Sequence, residues 1–166
     1  MAEVMVRFDA VNIVFGDRPE TALPLMDEGL SRAEIKEKTN QVLGVHACSL
    51  DVHDGETLVL MGLSGSGKST LLRAVNALHP VVRGRVEVRA DGAMVDVTRA
   101  KAKELRRIRT RHVAMVFQQF GLLPWRSVRD NVAFGLELAG VPLADRLARA
   151  EQQLELVQLG DWGAYM

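Results

Sequence analysis

The chain has little of what a disulfide-rich or membrane-spanning protein requires. Among its 166 residues, Cys48 is the only cysteine, so it forms no internal disulfide and has no cysteine partner for a zinc site. We expect Cys48 to be a small buried residue. The longest apolar runs, such as 58–61 and 113–117, are far shorter than the roughly 20 residues of a membrane-spanning helix. The sequence also begins without the basic and apolar pattern of a secretory signal, which favours a cytoplasmic chain.

Net charge is absent as well. The 21 Lys and Arg residues balance 21 Asp and Glu residues, so no overall field attracts nucleic acid or an anionic membrane. A local basic stretch over residues 99–111 has no aromatic residues interleaved for base stacking. We interpret it as the solvated face of a helix and expect no nucleic-acid partner.

Several short stretches have the composition and alternation of strands. They are residues 5–8, 11–15, 42–52, 57–61, 85–90, 93–97 and 113–117. Asp91-Gly92 predicts a tight hairpin turn between two of them. The stretch 113–117 is predicted to be a buried strand because it is continuously apolar.

Helices are predicted from capping residues and from apolar spacing. Ser31 and Glu34 form a capping box within residues 18–41, a stretch with few apolar residues that we interpret as a surface insertion. Further helices are expected over 69–79, 99–111 and 128–139, and between Pro142 and Gly160. The last helix should bury Leu143, Leu147, Leu154 and Val157.

The strongest motif lies between a predicted strand and a predicted helix. Residues 62–69, GLSGSGKS, match the phosphate-loop pattern G-x-x-x-x-G-K-[ST]. Glycines let several backbone amides of such a loop point at one phosphate. Lys68 would neutralise the β and γ phosphates, Ser69 would be a Mg²⁺ ligand, and Thr70 would lie near the α phosphate. The expected cofactors are therefore ATP and Mg²⁺, bound by Gly62, Leu63, Ser64, Gly65, Ser66, Gly67, Lys68, Ser69 and Thr70.

Two further residues are candidates for the same site. Gln118 follows the predicted strand 113–117, where its amide oxygen could bind Mg²⁺ or hold an attacking water. Lys68 and Gln118 are the catalytic candidates, although a glutamine at a strand end is usually an exposed polar side chain without a catalytic role. Phe15 could stack on adenine, although core packing is the ordinary role of such a residue.

These residues resemble the ATP-binding subunit of an ABC transporter. The phosphate loop GLSGSGKSTLLRAVNAL is followed by VFQQFGLLPWRSVRDNVAFGLEL, in the order that the family has. The resemblance implies that Gln118 is the Q-loop residue, with Gln119 as the alternative, and that it contacts both Mg²⁺ and the region that couples to the permease. It also implies that Phe15 stacks on adenine, with Phe8 as the fallback.

Within that family, the chain resembles importers of quaternary amines such as choline and glycine betaine. The segments that carry this resemblance are EGLSRAEIKEKTNQVLGV, NALHPVVRGRVEV and AFGLELAGV. The resemblance implies an ATPase that drives uptake, acts as a homodimer, docks on permease subunits through the Q-loop and helical subdomain, and lies on the inner face of the cytoplasmic membrane.

Residues 1–166 contain only part of the family's machinery. They lack an LSGGQ signature, an aliphatic strand ending in Asp-Glu, and a switch histidine after Gln118. The segment 94–96 does not replace that strand, because Val97 stands where the glutamate is needed. We therefore expect this stretch to bind Mg-ATP at most and not to hydrolyse it alone. The alternatives are a short nucleotide-binding module without turnover and a non-transport ABC ATPase that acts on nucleic acid.

The predicted fold is α/β: a P-loop NTPase (RecA-like) core with N-terminal antiparallel strands and the beginning of an ABC helical subdomain. Residues 1–124 are the expected nucleotide-binding core, with the insertion at about 18–41 and the phosphate loop at 62–70. Residues 125–166 are the expected start of the helical subdomain, truncated. The core sheet should be incomplete, leaving apolar residues of 57–61 and 113–117 exposed and the isolated monomer weakly stable.

Overall fold

The computed structural model describes residues 2–119 and 121–166, which fold as two compact units, Met1–Ala114 and Met115–Met166. The first unit contains a four-stranded antiparallel sheet in the order β2-β1-β3-β4. Its strands are β1 (Val4–Phe15), β2 (Val42–His53), β3 (Arg83–Ala90) and β4 (Ala93–Asp96). Its helices are α1 (Leu23–Asp27), α2 (Arg32–Thr39), α3 (Lys68–Ala74) and α4 (Ala102–Arg111).

The sheet joins two predicted strands into one. β1 runs continuously through Ala10, which has a φ of +47° and lies where the register against β2 shifts between Phe8 and Val11. This irregularity is a bulge-like break, and it explains why the sequence pattern suggested two short strands. The predicted β3–β4 hairpin is confirmed, with Asp91 and Gly92 both at positive φ.

The main core lies between this sheet and helices α3 and α4. Ile13 and Val86 are fully buried in it, and Ile108 of α4 is also fully buried. Cys48, predicted to be buried, is half-buried at the edge of this core, and burial raises the pKa of its thiol.

The insertion has a small core of its own. Residues 18–41 form a 3-10 turn (Pro19–Ala22) followed by α1 and α2, and the Ser31–Glu34 capping box is present as predicted. Three apolar side chains of the insertion pack with one residue of β1 and one of β2. The insertion contributes Ala22, Met26 and Ile35, and the strands contribute Val14 and Leu43. The insertion is therefore anchored to the sheet by buried contacts.

Two predicted strands are not strands in the part of the chain that the structure describes. Residues 57–61 and 113–117 pair with no other segment there. Met61 is 88% exposed and Val116 is 97% exposed, so the expectation of a buried strand at 113–117 is wrong. Their composition favours strands, but a strand is stabilised by a hydrogen-bonded neighbour, and none is present among the described residues. The expectations of an incomplete core sheet and of exposed apolar residues in these segments are confirmed.

Helix α3 is shorter than predicted. It ends at Ala74, whereas the sequence pattern predicted an end at His79. The chain turns at Ala77, which has a φ of +52°. The guanidinium of Arg109 in α4 donates to the carbonyls of Asn76 and Ala77, at 2.8 and 3.0 Å. A cation thus satisfies carbonyls just beyond the helix end.

The basic stretch forms a helix as predicted, although α4 begins at Ala102 and not at residue 99. Two arginines of α4 bind within the protein, Arg109 as described and Arg107 in an ion pair with Asp91. These contacts give a structural role to part of the positive charge.

The second unit is built on two helices, α5 (Val128–Leu138) and α6 (Leu143–Leu156). The buried residues of α6 are Ala150 and Leu154, whereas Leu143 and Val157 are each 59% exposed, so the predicted stripe is wrong at both ends. Val157 lies beyond the last turn, and Gly160 begins a 3-10 turn rather than closing the helix. Among the described residues, no helix has the length and apolar character needed to cross a bilayer.

Candidate nucleotide-binding site

The phosphate loop adopts a backbone conformation that needs its glycines. Gly62, Gly65 and Gly67 have φ angles of +151°, +76° and +99°, which residues with a side chain rarely adopt. At Gly67 an added Cβ atom would also lie 2.4 Å from the carbonyl oxygen of Gly44 in β2. The loop is therefore packed directly against the sheet at this point.

Lys68 brings its charge into the loop. Its Nζ atom donates to the carbonyl oxygens of Gly62 and Leu63, at 2.8 and 2.7 Å, and to Ser66 Oγ at 3.2 Å. All three acceptors belong to the loop itself. A phosphate oxygen carries more negative charge than a carbonyl and can replace these acceptors, so the residues present fit a phosphate group.

Ser69, Thr70 and Phe15 lie beside the loop. The Ser69 side chain is exposed in the first turn of α3, where its hydroxyl is free to meet a metal ion bound to phosphate. The Thr70 methyl and the Phe15 ring both approach Gly44, since a Cβ there would lie 3.3 Å and 2.8 Å from them. The structure thus brings Phe15 close to the base of the phosphate loop.

The ring of Phe15 also has an aromatic neighbour. It meets the His79 imidazole edge to face, with ring centroids 5.1 Å apart. Burial lowers the pKa of His79, and the charge of Arg73 lowers it further. Phe8, the fallback for adenine stacking, is 6% exposed and belongs to the main core.

Gln118 and Gln119 belong to the second unit and lie exposed outside its helices. Their roles remain predictions.

Two residues at the loop were missed by sequence reasoning. The guanidinium of Arg32 donates to the carbonyls of Gly65, Gly44 and Ser66, at 3.0, 3.1 and 3.4 Å. Nothing in the local pattern indicated that this insertion residue reaches the phosphate loop. Gly44 did leave a signal, because a glycine inside a strand often marks a close approach of another backbone.

Known proteins resemble this chain over most of its length. The sequence model of the family described as ABC transporter matches residues 45–164. The chain belongs to the ABC transporter family.

Several relatives within the family are named as ATP-binding proteins of transport systems. The glycine betaine/proline betaine transport ATP-binding protein ProV of Escherichia coli is 44% identical over 149 residues, covering 90% of this chain and 36% of ProV. The glycine betaine transport ATP-binding protein OpuAA of Bacillus subtilis is 37% identical, covering 94% of this chain and 36% of OpuAA. The trimethylamine N-oxide transport ATP-binding protein TmoW of Ruegeria pomeroyi is 45% identical, covering 88% of this chain and 41% of TmoW. The chain thus spans well under half the length of these relatives.

The fold also matches that of solved cassettes. A dimeric structure of the ATP-binding cassette MJ0796 in a post-hydrolysis state, bound to ADP and Pi, superposes with a TM-score of 0.73 at 24% identity. The match covers 96% of this chain and 60% of that one. At this identity the match shows the fold, which is that of an α/β P-loop NTPase.

Proposed function

We propose that this chain is the nucleotide-binding portion of a transport ATPase and binds Mg-ATP at residues 62–70. The observation that carries the proposal is the position of Lys68 Nζ, which hydrogen-bonds to three oxygens of a glycine-rich loop. A mobile cation inside a loop of this shape is suited to a polyphosphate.

Each candidate residue has a role in this proposal. Lys68 contacts the β and γ phosphates, Ser69 supplies one oxygen to Mg²⁺, and Thr70 lies near the α phosphate. Phe15, half-buried beside Gly44, offers its ring to adenine. Gln118 is proposed as the Q-loop residue that would hold Mg²⁺ or the attacking water. When bound, Mg²⁺ would neutralise charge on the phosphates.

The proposed cargo of the whole transporter is a quaternary amine of the choline or glycine betaine class. Support comes from the betaine transport names of the relatives that are 37–44% identical to this chain. The whole protein would work as a homodimer docked on permease subunits at the inner face of the cytoplasmic membrane. The Q-loop and the helical subdomain would make the contact with the permease.

The first test is a titration of the chain with Mg-ATP, compared with the variant Lys68→Ala. Charge-assisted contacts are about twice as strong as neutral ones, so we expect the variant to bind at least roughly 30-fold more weakly. Lys103→Ala is the matched control, since it removes one lysine charge from an exposed position of α4. Equal affinity of the wild type and Lys68→Ala would overturn the assignment of the loop.

Turnover is tested separately by phosphate release. Because residues 1–166 lack the signature and the Asp-Glu strand, we expect the chain to release phosphate no faster than its Lys68→Ala variant. Sustained release that depends on Lys68 would show that this chain is an ATPase by itself.

A further inference from the structure

The insertion helix α2 begins against the phosphate loop. Arg32 is its first residue, and the position of its backbone is fixed by the capping box, in which Ser31 accepts from the Glu34 amide and the Glu34 carboxylate accepts from the Ser31 amide. The Ser31 hydroxyl donates to the Glu34 carboxylate at 2.6 Å, and this bond together with the one from the Ser31 amide lowers the pKa of Glu34. The start of the helix is thus held by its own contacts, which leaves the Arg32 side chain to reach outward.

The Arg32 guanidinium joins two segments of backbone through three carbonyls. It donates to Gly65 and Ser66 in the loop, at 3.0 and 3.4 Å, and to Gly44 in β2 at 3.1 Å. Gly44 is also the residue that the loop touches at Gly67. Arg32 therefore binds the point where the sheet supports the loop.

These bonds fix the direction of peptide groups in the loop. In a trans peptide the carbonyl and the following amide point in opposite directions. A Ser66 carbonyl held toward Arg32 turns the Gly67 amide away from Arg32. The Gly65 carbonyl directs the Ser66 amide in the same manner, and this amide now donates to the Leu63 carbonyl at 3.2 Å.

We propose that Arg32 is a positioning residue that clamps the phosphate loop from the insertion and holds the Gly67 amide in the orientation that binds phosphate. The inference rests on the proposed binding of Mg-ATP and extends it to a residue outside the phosphate-loop motif. Arg32 acts on the phosphates through the loop backbone, so its contribution belongs to the phosphate part of the ligand and not to adenine.

The shape of the side chain matters as much as its charge. A guanidinium is planar and carries five N–H donors, so it can satisfy three carbonyls at fixed angles. A lysine at the same position would retain the charge without this geometry. Arg32→Lys therefore separates a clamp from a general attraction between positive charge and phosphate.

The experiment measures the binding of three probes to five forms of the chain. The probes are Mg-ATP, inorganic triphosphate and adenosine, the last followed by saturation-transfer NMR because its binding is weak. The forms are the wild type, Arg32→Ala, Arg32→Lys, Lys68→Ala and the control Lys36→Ala, which removes a charge from an exposed position of the same helix. Circular dichroism and thermal melting check that each variant is folded.

We expect Arg32→Ala to bind Mg-ATP and triphosphate roughly tenfold more weakly, since it loses three hydrogen bonds from a charged donor. Adenosine binding should be unchanged, and Lys36→Ala should stay within about twofold of the wild type. Arg32→Lys should recover only part of the loss. Hydrogen exchange of the Ser66 and Gly67 amides should be faster in Arg32→Ala.

Three results overturn the inference. In the first, Arg32→Ala binds Mg-ATP as tightly as the wild type does, whereas Lys68→Ala has lost its affinity. This result rejects the role of Arg32 and leaves the proposed function intact. Another is an equal loss for adenosine, which would mean that the loop is not the part affected. The third is full recovery by Arg32→Lys, which would make charge the cause. If Arg32→Ala does not fold, Arg32→Lys and its amide exchange decide the question. Unchanged affinity of Lys68→Ala would instead remove the proposed function itself.

Discussion

Two apolar parts of the chain precede the phosphate loop, and their surroundings differ. The strands β1 and β2 pair with each other and bury residues such as Ile13 and Val14, which are at most 1% exposed. The segment that leads into the loop, residues 57–61, is equally apolar but has no strand partner among the described residues, and its Val59 is 69% exposed. Apolar composition therefore predicts a strand, but the strand forms and is buried only where a neighbouring strand hydrogen-bonds to it.

Two glycines of the loop also differ in their surroundings. Gly67 packs on Gly44, where an added Cβ atom would lie 2.4 Å from the carbonyl oxygen. The Gly65 carbonyl is held by Arg32, but an added Cβ atom at Gly65 would meet no atom of the described residues within 4 Å. A side chain therefore has room at Gly65 and none at Gly67.

The largest effect is expected from two methionines in the two kinds of surroundings. Met26 is 2% exposed in the small core of the insertion, and Met61 is 88% exposed in the unpaired segment. Met26→Ala should lower the free energy of unfolding by about 2–5 kcal/mol, because it leaves a cavity. Met61→Ala should change it by less than about 0.5 kcal/mol. Urea denaturation of both variants measures the difference.

Equal destabilisation of the two variants would contradict this prediction. That result would mean that Met61 is buried in solution, for example by association of the unpaired segments of two chains. Sedimentation at several protein concentrations distinguishes association from burial within one chain.

A smaller effect is expected within the loop. Gly65→Ala places a side chain at a positive φ, which costs about 1–2 kcal/mol. Gly67→Ala should cost more, because its Cβ atom would also meet the Gly44 carbonyl at 2.4 Å. Mg-ATP titration of both variants, with thermal melting beside it, should rank Gly67→Ala as the weaker binder. The reverse ranking would contradict the described support of the loop by β2.

Much of the paired region could be predicted from the sequence because its signals are local. Ser31 with Glu34 and Asp91 with Gly92 specify a helix start and a hairpin through neighbouring residues. The phosphate-loop pattern also specifies its own shape, since its glycines take the positive φ angles found at Gly62, Gly65 and Gly67.

The rest depends on contacts that are distant along the chain. Strand signals at 57–61 and 113–117 gave the wrong result because a strand also depends on a neighbour that local composition does not reveal. Arg32 contacts a carbonyl 33 positions away, which no local pattern encodes. The end of α3 was missed because Ala77 turns with a positive φ that alanine seldom adopts, and Arg109 binds the carbonyls exposed there.

The smallest effect concerns pH. The pKa of His79 is lowered from its ordinary value near 6.5, mainly by burial next to Phe15. The unfolded chain therefore takes up this proton at higher pH than the folded chain, so stability should be unaffected above about pH 6.5 and should fall as the pH drops below it. His79→Gln should lose less stability between pH 6.5 and 5, as measured by melting at each pH. An identical dependence of stability on pH in both proteins would mean that the His79 imidazole is exposed to solvent in the folded chain, which would contradict this prediction.

The proposed function depends on binding of the ATP phosphates by the backbone amides of residues 62–70 and by Lys68. This binding is measured by the NMR spectrum of the ¹⁵N-labelled chain during titration with Mg-ATP and, separately, with adenosine. We expect the amide signals of Gly65, Gly67 and Lys68 to shift with Mg-ATP and to stay in place with adenosine. Signals that do not move with Mg-ATP at saturating concentration, or that move equally with adenosine, would contradict it.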